Sequence, residues 1–276
     1  MQRILGLGAS LAIVLLTARC SMDTGDQPAK AAQPAPTPSA RAASAEQTLP
    51  PVSPETLARI DADFAYVPAG TLPPRYVNHV KQPEMKVGGF WMGKHEVTQE
   101  EWVSVMGRNP SAQKGDPRLP VTNVSWADVV RFVERLNQAA GSVVFRLPTG
   151  PEWELACRAG TMERLPILPS EAALSQYAWW GKNSDERSHP VGQLKPNTLG
   201  LYDMLGNVAE WCDTTQVAST GNVLRVDAGG NFEDANLSGH SCDYTAAWLS
   251  DEAREMWTGF RLAKTAAAPP SKVRKR

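Results

Sequence analysis

The stretch that most constrains the fold is residues 197–212, which are rich in apolar side chains but follow neither a helical nor a strand period. Seven of these side chains need burial: Leu199, Leu201, Tyr202, Met204, Leu205, Val208 and Trp211. Gly200 and Gly206 supply turns between them. These features predict a packed loop rather than a surface loop. A long ordered loop needs something to hold it, and a bound cation is one such device.

The two ends of the chain differ in composition from the part between them. In residues 1–20 a basic residue precedes thirteen residues without charge, which is typical of an export signal and too short for a transmembrane helix. The signal is of lipoprotein type if Cys20 is lipidated, and the alternative is cleavage that discards Cys20. Residues 21–54, rich in Ala, Pro and Ser, predict a disordered tether, and residues 265–276 predict a disordered basic tail. We therefore expect an exported protein, either periplasmic or tethered to a bacterial membrane through its signal or lipid alone.

Local signals between these ends predict three helices with one kind of start. A hydroxyl residue followed three positions later by an acid is typical of a capping box, in which each side chain bonds the other residue's backbone N–H. Three pairs have this spacing: Thr98 with Glu101, Ser125 with Asp128, and Thr149 with Glu152. The second helix also has a clear apolar face: Trp126, Val129, Val130, Val133 and Leu136.

The rest of residues 55–264 predicts short strands and long glycine-punctuated loops. Residues 64–70 and 87–92 are β-branched and aromatic runs bounded by Pro and Gly, whereas little sustained period follows residue 161. We therefore predict an α+β domain with little regular secondary structure. The 28 Lys and Arg against 29 Asp and Glu give no basic excess, so no nucleic-acid partner is expected.

A series of motifs in fixed order identifies a family resemblance. The motifs are 96–99 (Glu-Val-Thr-Gln), 106–111 (Met-Gly-Arg-Asn-Pro-Ser), 119–126 (Leu-Pro-Val-Thr-Asn-Val-Ser-Trp), 146–149 (Arg-Leu-Pro-Thr), 152–154 (Glu-Trp-Glu), 189–192 (His-Pro-Val-Gly), 200–204 (Gly-Leu-Tyr-Asp-Met), 206–208 (Gly-Asn-Val), 210–211 (Glu-Trp) and 259–262 (Gly-Phe-Arg-Leu). Together they resemble the formylglycine-generating enzyme (sulfatase-modifying factor) family over about residues 64–264. The resemblance implies a C-type-lectin-like α+β fold.

The resemblance also implies a particular chemistry, which can be compared with the residues of this chain. The founding enzymes oxidise a sulfatase cysteine with O2 and a copper ion held by two cysteines just after a Gly-Gly-Ser turn. In the matching residues 229–242 the sole cysteine is Cys242, and Asp234 stands about where the first copper ligand would be. Because a carboxylate does not replace a soft two-thiolate copper site, we expect neither that chemistry nor a redox metal.

The family resemblance suggests roles for three cysteines and for one cation site. Cys157 and Cys242 match a structural disulfide, which leaves Cys212 as a buried inert thiol or, alternatively, a nucleophile. Asn207, the Val208 carbonyl and Glu210 resemble a structural calcium site. The alternative is that Asn207 and Glu210 only tie down loop N–H groups.

A second, weaker calcium candidate is Asn183 with Asp185 in the preceding loop.

Two classes of function remain open at this stage. Glu233, Asp234 and His240 are candidate catalytic acid and base residues of an enzyme that matures or oxidatively modifies an exported peptide or protein. The alternative is a non-catalytic lectin-like module that binds a protein or another envelope component. Family membership alone does not choose between them.

Overall fold

The structure, a computed structural model, describes residues 49–265 apart from six short gaps: 78–79, 143, 162–169, 218–220, 244 and 249. The predicted export signal with Cys20, most of the predicted tether and nearly all of the predicted tail lie outside the described residues. No helix within the described residues is long and apolar enough to cross a membrane.

Capping boxes begin three of the helices, as the sequence predicts. The side chains of Thr98, Ser125 and Thr149 each accept a hydrogen bond from the backbone N–H three residues later, and the acid there bonds back. The described residues contain five α-helices: α1 (Pro54–Ala62), α2 (Gln99–Met106), α3 (Trp126–Ala140), α4 (Gly150–Arg158) and α5 (Glu171–Leu174). A 3-10 turn spans Leu237–Gly239.

The strands are short and most pair over long sequence distances. Those in the described residues are β1 (Phe64–Val67), β2 (Gly70–Leu72), β3 (Arg75–Val77), β4 (Val80–Gln82), β5 (Met85–Val87), β6 (Phe90–Gly93), β7 (Phe145–Arg146), β8 (Ala209–Val217), β9 (Val223–Ala228), β10 (Thr245–Trp248), β11 (Thr258–Gly259) and β12 (Ala263–Lys264). One sheet has the order β1-β6-β12-β7 and the other β10-β9-β8-β11. The pairs β2-β5 and β3-β4 form two small antiparallel ribbons. In the second sheet β11 runs parallel to β8, which places Gly259 opposite Glu210.

Two apolar clusters form the core of the part of the chain that the structure describes. One surrounds the first sheet and helices α2 and α3, where the stacked rings of Trp102 and Phe132 both meet Phe260 edge-on. The other contains Trp153 and Trp180. Aromatic pairs of this geometry add stabilisation beyond their buried area.

The sequence missed helix α1 and misjudged strand ends. The predicted run 64–70 holds β1 and the first residue of β2, and the run 87–92 holds the last residue of β5 and most of β6. Ser53 caps α1 and Pro54 begins it, so the folded part starts inside the segment predicted to be a tether. Val52 is also buried. The signal was present, since Ser followed by Pro and Glu is typical of a helix start. Of the predicted face of α3, Val129 and Leu136 are buried, together with Phe132, which the prediction omitted.

Candidate functional site

Residues 197–208 form the packed loop that the sequence predicts, whereas residues 209–212, which were predicted as part of that loop, begin strand β8. Gly206 has a φ of 71°, and a Cβ there would lie 2.1 Å from the Trp179 carbonyl oxygen. Asn207 donates its backbone N–H to that same carbonyl over 2.7 Å. Its Oδ1 accepts from the His189 backbone N–H and its Nδ2 donates to Glu96 Oε2. This close approach explains why glycine precedes Asn207.

Glu210 forms a buried ion pair with Arg261, the arginine of the Gly-Phe-Arg-Leu motif. Nε and Nη2 of Arg261 donate to the two carboxylate oxygens over 2.6 Å each. Trp153 Nε1 adds a third donor, also at 2.6 Å. Arg261 further donates to the carbonyl oxygens of Tyr202 and Gly93. The side chains of Glu210 and Arg261 are 1% and 0% exposed, so the pair is fully desolvated.

These contacts bear on the predicted calcium ligands. The side-chain oxygens of Asn207 and Glu210 already accept hydrogen bonds from protein groups, which by themselves account for an ordered loop. Calcium at Asn207, the Val208 carbonyl and Glu210 stays a prediction. If calcium binds there, adding calcium to chelator-treated protein should raise its melting temperature.

The second calcium candidate is also engaged by protein groups. Asn183 Oδ1 accepts from the Trp180 backbone N–H over 2.8 Å, and Asn183 Nδ2 donates to the Ala178 carbonyl. Asp185 is exposed and lies 3.8 Å from Arg187. Within the described ranges, no group of three or more His, Cys, Asp and Glu side chains is arranged to hold a metal ion.

Two further carboxyl groups lie near Arg261 in the same buried region. Burial raises the pKa of Glu96 well above its usual range, and the charges of Asp203 and Glu210 raise it further while Arg261 opposes them. Burial also raises the pKa of Asp203, against a hydrogen bond from the Gly192 N–H and the charge of Arg261. One guanidinium therefore lies near three carboxyl groups, and the pKa values of two of them, Glu96 and Asp203, are raised.

The three predicted catalytic residues lie in one loop, and the side chains of two of them contact backbone groups of that loop. His240 is 0% exposed, and its Nδ1 and Nε2 lie 3.0 Å and 3.1 Å from the carbonyl oxygens of Asn236 and Asn231. Asp234 Oδ1 accepts from the Asn236 backbone N–H over 2.8 Å. Glu233 is exposed. The polar contacts of His240 and Asp234 are thus with backbone groups of their own loop.

The described cysteines divide as the family resemblance implies. Cys157 at the end of α4 and Cys242 form a disulfide. Cys212 is buried and free. Burial raises the pKa of its thiol well above the usual range, and the charges of Glu210 and Asp227 act in the same direction. Because the thiolate is the reactive form, this arrangement opposes nucleophilic chemistry at Cys212.

A cavity of about 200 Å³ lies beside the disulfide, and no sequence pattern indicated it. Its lining includes Arg75 of β3, Trp153 and Glu154 of α4, Gln216 of β8, and Asp243 next to Cys242. These residues come from four distant segments that the fold brings together. Arg75 follows two prolines in a stretch without period, so no local pattern marked it.

Comparisons with known proteins agree with the motifs. The profile of the family described as "Sulfatase-modifying factor enzyme 1-like domain" matches residues 53–266. The chain is 30% identical to "Chaperone protein LppX" of Paenibacillus barcinonensis over 52% of this chain and 69% of that protein. It is 34% identical to the formylglycine-generating enzyme of Streptomyces coelicolor over 40% of this chain and 39% of that enzyme. It is 30% identical to "Inactive C-alpha-formylglycine-generating enzyme 2" of Mus musculus over 55% of this chain and 51% of that protein. The matches thus span about two fifths to one half of these two formylglycine-generating relatives.

Solved structures show the same fold. Treponema denticola variable protein 1 superposes with a TM-score of 0.65 at 27% identity, over 73% of this chain and 94% of that one. PvdO from Pseudomonas aeruginosa superposes with a TM-score of 0.59 at 24% identity, over 74% of this chain and 94% of that one. Since the family profile covers well over half of the chain, the protein belongs to the formylglycine-generating enzyme (sulfatase-modifying factor) family and has its α+β fold with little regular secondary structure.

Proposed function

We propose that this domain binds a protein or peptide of the bacterial envelope and holds it without changing its covalent structure. The observation that carries the proposal is the placement of His240. The imidazole is fully buried, and both of its ring nitrogens lie against backbone carbonyl oxygens of its own loop. A ring enclosed in this way holds the loop together and is not exposed to a substrate.

The cysteines support the same reading. The founding chemistry needs two reactive thiolates near residues 229–242, where this chain has Asp234 and the disulfide-bonded Cys242. The remaining described thiol, Cys212, is enclosed and its pKa is raised. We therefore propose that the copper-dependent oxidation of cysteine is absent.

The names of two relatives are consistent with binding rather than catalysis. One is called a chaperone and another an inactive enzyme. Because a disulfide persists in oxidising compartments, the Cys157–Cys242 bond also supports export. We propose a periplasmic or membrane-tethered location, with Cys20 as the lipidation site.

The second candidate function is the maturation or oxidative modification of an exported peptide or protein. The sequence identity to formylglycine-generating enzymes favours it. It would need Glu233, Asp234 or His240 to reach a substrate, with a cofactor that the described residues do not identify.

The two candidates are separated by mixing the purified protein with a denatured exported protein and diluting out the denaturant. We expect light scattering by the client to fall at near-stoichiometric protein, without nucleotide, and the intact mass of the client to stay unchanged. An unrelated protein of the same size and charge is the control. Undiminished scattering would overturn the binding proposal, and a client mass shift that depends on the protein would favour the enzyme.

A further inference from the structure

A second cavity lies where helix α1 ends and helix α2 begins. Its volume is about 400 Å³, within the roughly 300–1,000 Å³ range of ligand pockets. Apart from Ala62 and Val191, its lining residues are polar: Arg59, Asp63, His95, Thr98, Glu100, Glu101 and Arg118. A cavity of this composition suits a polar ligand, and the contacts already made within it determine which kind.

The acidic side chains of this cavity already have partners. Glu100 forms an ion pair with Arg59. Glu101 accepts hydrogen bonds from the backbone N–H and the hydroxyl of Thr98 over 2.9 Å and 3.0 Å, in the capping box of α2. The third acid, Asp63, contacts the imidazole of the same cavity. A cationic ligand would therefore have to replace one of these contacts.

The imidazole of His95 is held in one orientation. Its Nδ1 lies 2.7 Å from Asp63 Oδ2, and its ring stacks on Tyr202 with the centroids 4.9 Å apart. Burial raises the pKa of Asp63, but the hydrogen bond and charge of His95 and two other cations outweigh burial and lower that pKa. Because an ionised carboxylate only accepts, Nδ1 carries the proton between them. Nε2 has no hydrogen-bond partner among the described residues and is the nitrogen left for a ligand.

Arg118 approaches the same place from another loop. A Cβ built on Gly192 would lie 2.8 Å from His95 Nε2 and 3.6 Å from Arg118 Nη2, so both nitrogens border one point. Arg118 Nη2 donates to the Val191 carbonyl oxygen over 2.7 Å, and the Val191 N–H donates to the Arg118 carbonyl oxygen over 3.1 Å. The guanidinium has five N–H donors, and no carboxylate of the described ranges pairs with it. Two basic groups are thus fixed side by side with donors to spare.

The groups left without partners determine the ligand. Since the acids are engaged and the remaining groups are a guanidinium and an imidazole, the ligand should supply acceptors and negative charge. A carboxylate supplies both, because its two oxygens match the guanidinium geometry and accept from a protonated imidazole. The Arg59 and Glu100 side chains at the rim are 44% and 50% exposed, so a large molecule can present that carboxylate.

We propose that His95 and Arg118 bind a carboxylate of the polypeptide that this domain holds, either an acidic side chain or the C-terminal carboxylate. Protonated His95 donates from Nε2, Arg118 donates from its guanidinium, and Asp63 positions the imidazole. This inference rests on the proposed binding function and assigns it a site and a ligand chemistry. None of the three residues belongs to residues 229–242, which match the family's copper site.

Three matched peptides test the ligand chemistry and its source. They are acetyl-Ala-Ala-Asp-Ala-Ala-amide, its neutral Asn analogue, and the Asn analogue with a free C-terminal carboxylate. Each is titrated into the full-length protein at about pH 6, where histidine is commonly protonated, and followed by protein NMR.

We expect one or both carboxylate peptides to bind about tenfold more tightly than the neutral peptide, the gain from a charge-assisted hydrogen bond. Preference for the Asp peptide identifies a side chain as the ligand, and preference for the free chain end identifies the C-terminus. Equal affinities of all three peptides, tightest binding by the neutral peptide, or no binding at millimolar peptide would overturn the inference.

Two variants test the location. Arg118→Gln changes an exposed side chain, so it should lower the affinity of the preferred carboxylate peptide about tenfold with the melting temperature and the neutral peptide unaffected. Arg187→Gln removes the same charge from another exposed position and is the matched control, which should change nothing. In the wild type, the carboxylate peptide should shift the ring signals of His95, which are assigned with His95→Gln. An unchanged affinity in Arg118→Gln, or unshifted His95 signals, would place the site elsewhere.

The aggregation assay separates this inference from the proposed function. If the protein suppresses client aggregation but the three peptides bind equally, the function stands and the carboxylate site is wrong. If the carboxylate peptides bind through Arg118 while clients aggregate freely, the site stands and the proposed function is wrong.

Discussion

At the scale of single residues, Gly206 shows how an irregular loop is fixed by close contact rather than by a repeated pattern. Its φ is 71° and the Trp179 carbonyl oxygen fills the space where a side chain would begin. Gly200, in the same loop, has a similar φ of 78° but has no atom within 4 Å of a built Cβ. Substitutions at Gly200 and Gly206 therefore distinguish the cost of backbone strain, which both share, from the cost of steric overlap, which only Gly206 has.

We predict that Gly200→Ala lowers the free energy of unfolding by about 1–2 kcal/mol, the cost of a left-handed alanine. Gly206→Ala should cost roughly 1–3 kcal/mol more, because the carbonyl must also move. Urea denaturation of both variants measures the difference. Equal losses would mean that the Trp179 contact contributes nothing.

The ion pair between Glu210 and Arg261 makes a second prediction at this scale. Glu210→Gln should cost about 3–5 kcal/mol, because it leaves a buried guanidinium without its main counter-charge. The double variant Glu210→Gln with Arg261→Met should lose less than the sum of the single losses. Strictly additive losses in a denaturation cycle would contradict a direct coupling of the two side chains.

The buried carboxyl of Glu96 predicts how stability depends on pH. Its folded-state pKa is raised, so the native protein holds a proton that the unfolded chain releases. The resulting stabilisation is complete below the unfolded pKa of about 4.5 and is lost as pH rises through the folded pKa. Glu96→Gln should therefore flatten the fall in unfolding free energy as the pH rises above about 4.5.

Glu152 is the matched control for that pH dependence. Its folded-state pKa is lowered: burial acts to raise it, but hydrogen bonds from Arg146 and Thr149 outweigh burial. The stabilisation it provides is thus present above pH 4.5 and lost in acid. Glu152→Gln should therefore lower the unfolding free energy by a constant amount above pH 4.5 and change its slope with pH in acid alone. Identical pH profiles for wild type and Glu96→Gln would contradict the assignment.

At the scale of elements, the sequence predicts the helices whose start signals lie within a few neighbouring residues, but not the strands that depend on distant partners. Each capping box lies within four residues, so Thr98, Ser125 and Thr149 mark their helices without tertiary information. Strands such as β7 and β12, two residues each, exist because Ala263 pairs with Arg146 across the chain, and no local pattern specifies that.

The disulfide is the link between α4 and the loop after residue 229. Its cysteines are 85 residues apart, and closing a loop of that length stabilises the native state by about 4–5 kcal/mol in the chain-entropy picture. We predict that replacing both Cys157 and Cys242 by Ala lowers the unfolding free energy by about that amount. Cys212→Ala leaves the disulfide intact and is the control. A double variant as stable as wild type would mean that packing alone holds the loop.

At the scale of the whole molecule, the family and fold follow from separated motifs, but the candidate site does not. The sequence predicts Glu233, Asp234 and His240 as acid and base residues, yet the polar contacts of Asp234 and His240 are with backbone groups. The cavity beside the disulfide is formed by four segments that meet only in the folded chain, so no local sequence pattern predicts it. The scaffold by itself does not choose between an enzyme and a binding module.

The most direct measurement is the intact mass of an envelope client recovered after co-export with the wild-type protein and with the Asp234→Asn variant. The account predicts the same client mass in both samples, equal to that of the client exported alone, and equal recovery of soluble client. A mass change that is present with the wild-type protein and absent with Asp234→Asn would show that the loop performs chemistry, and it would contradict the account.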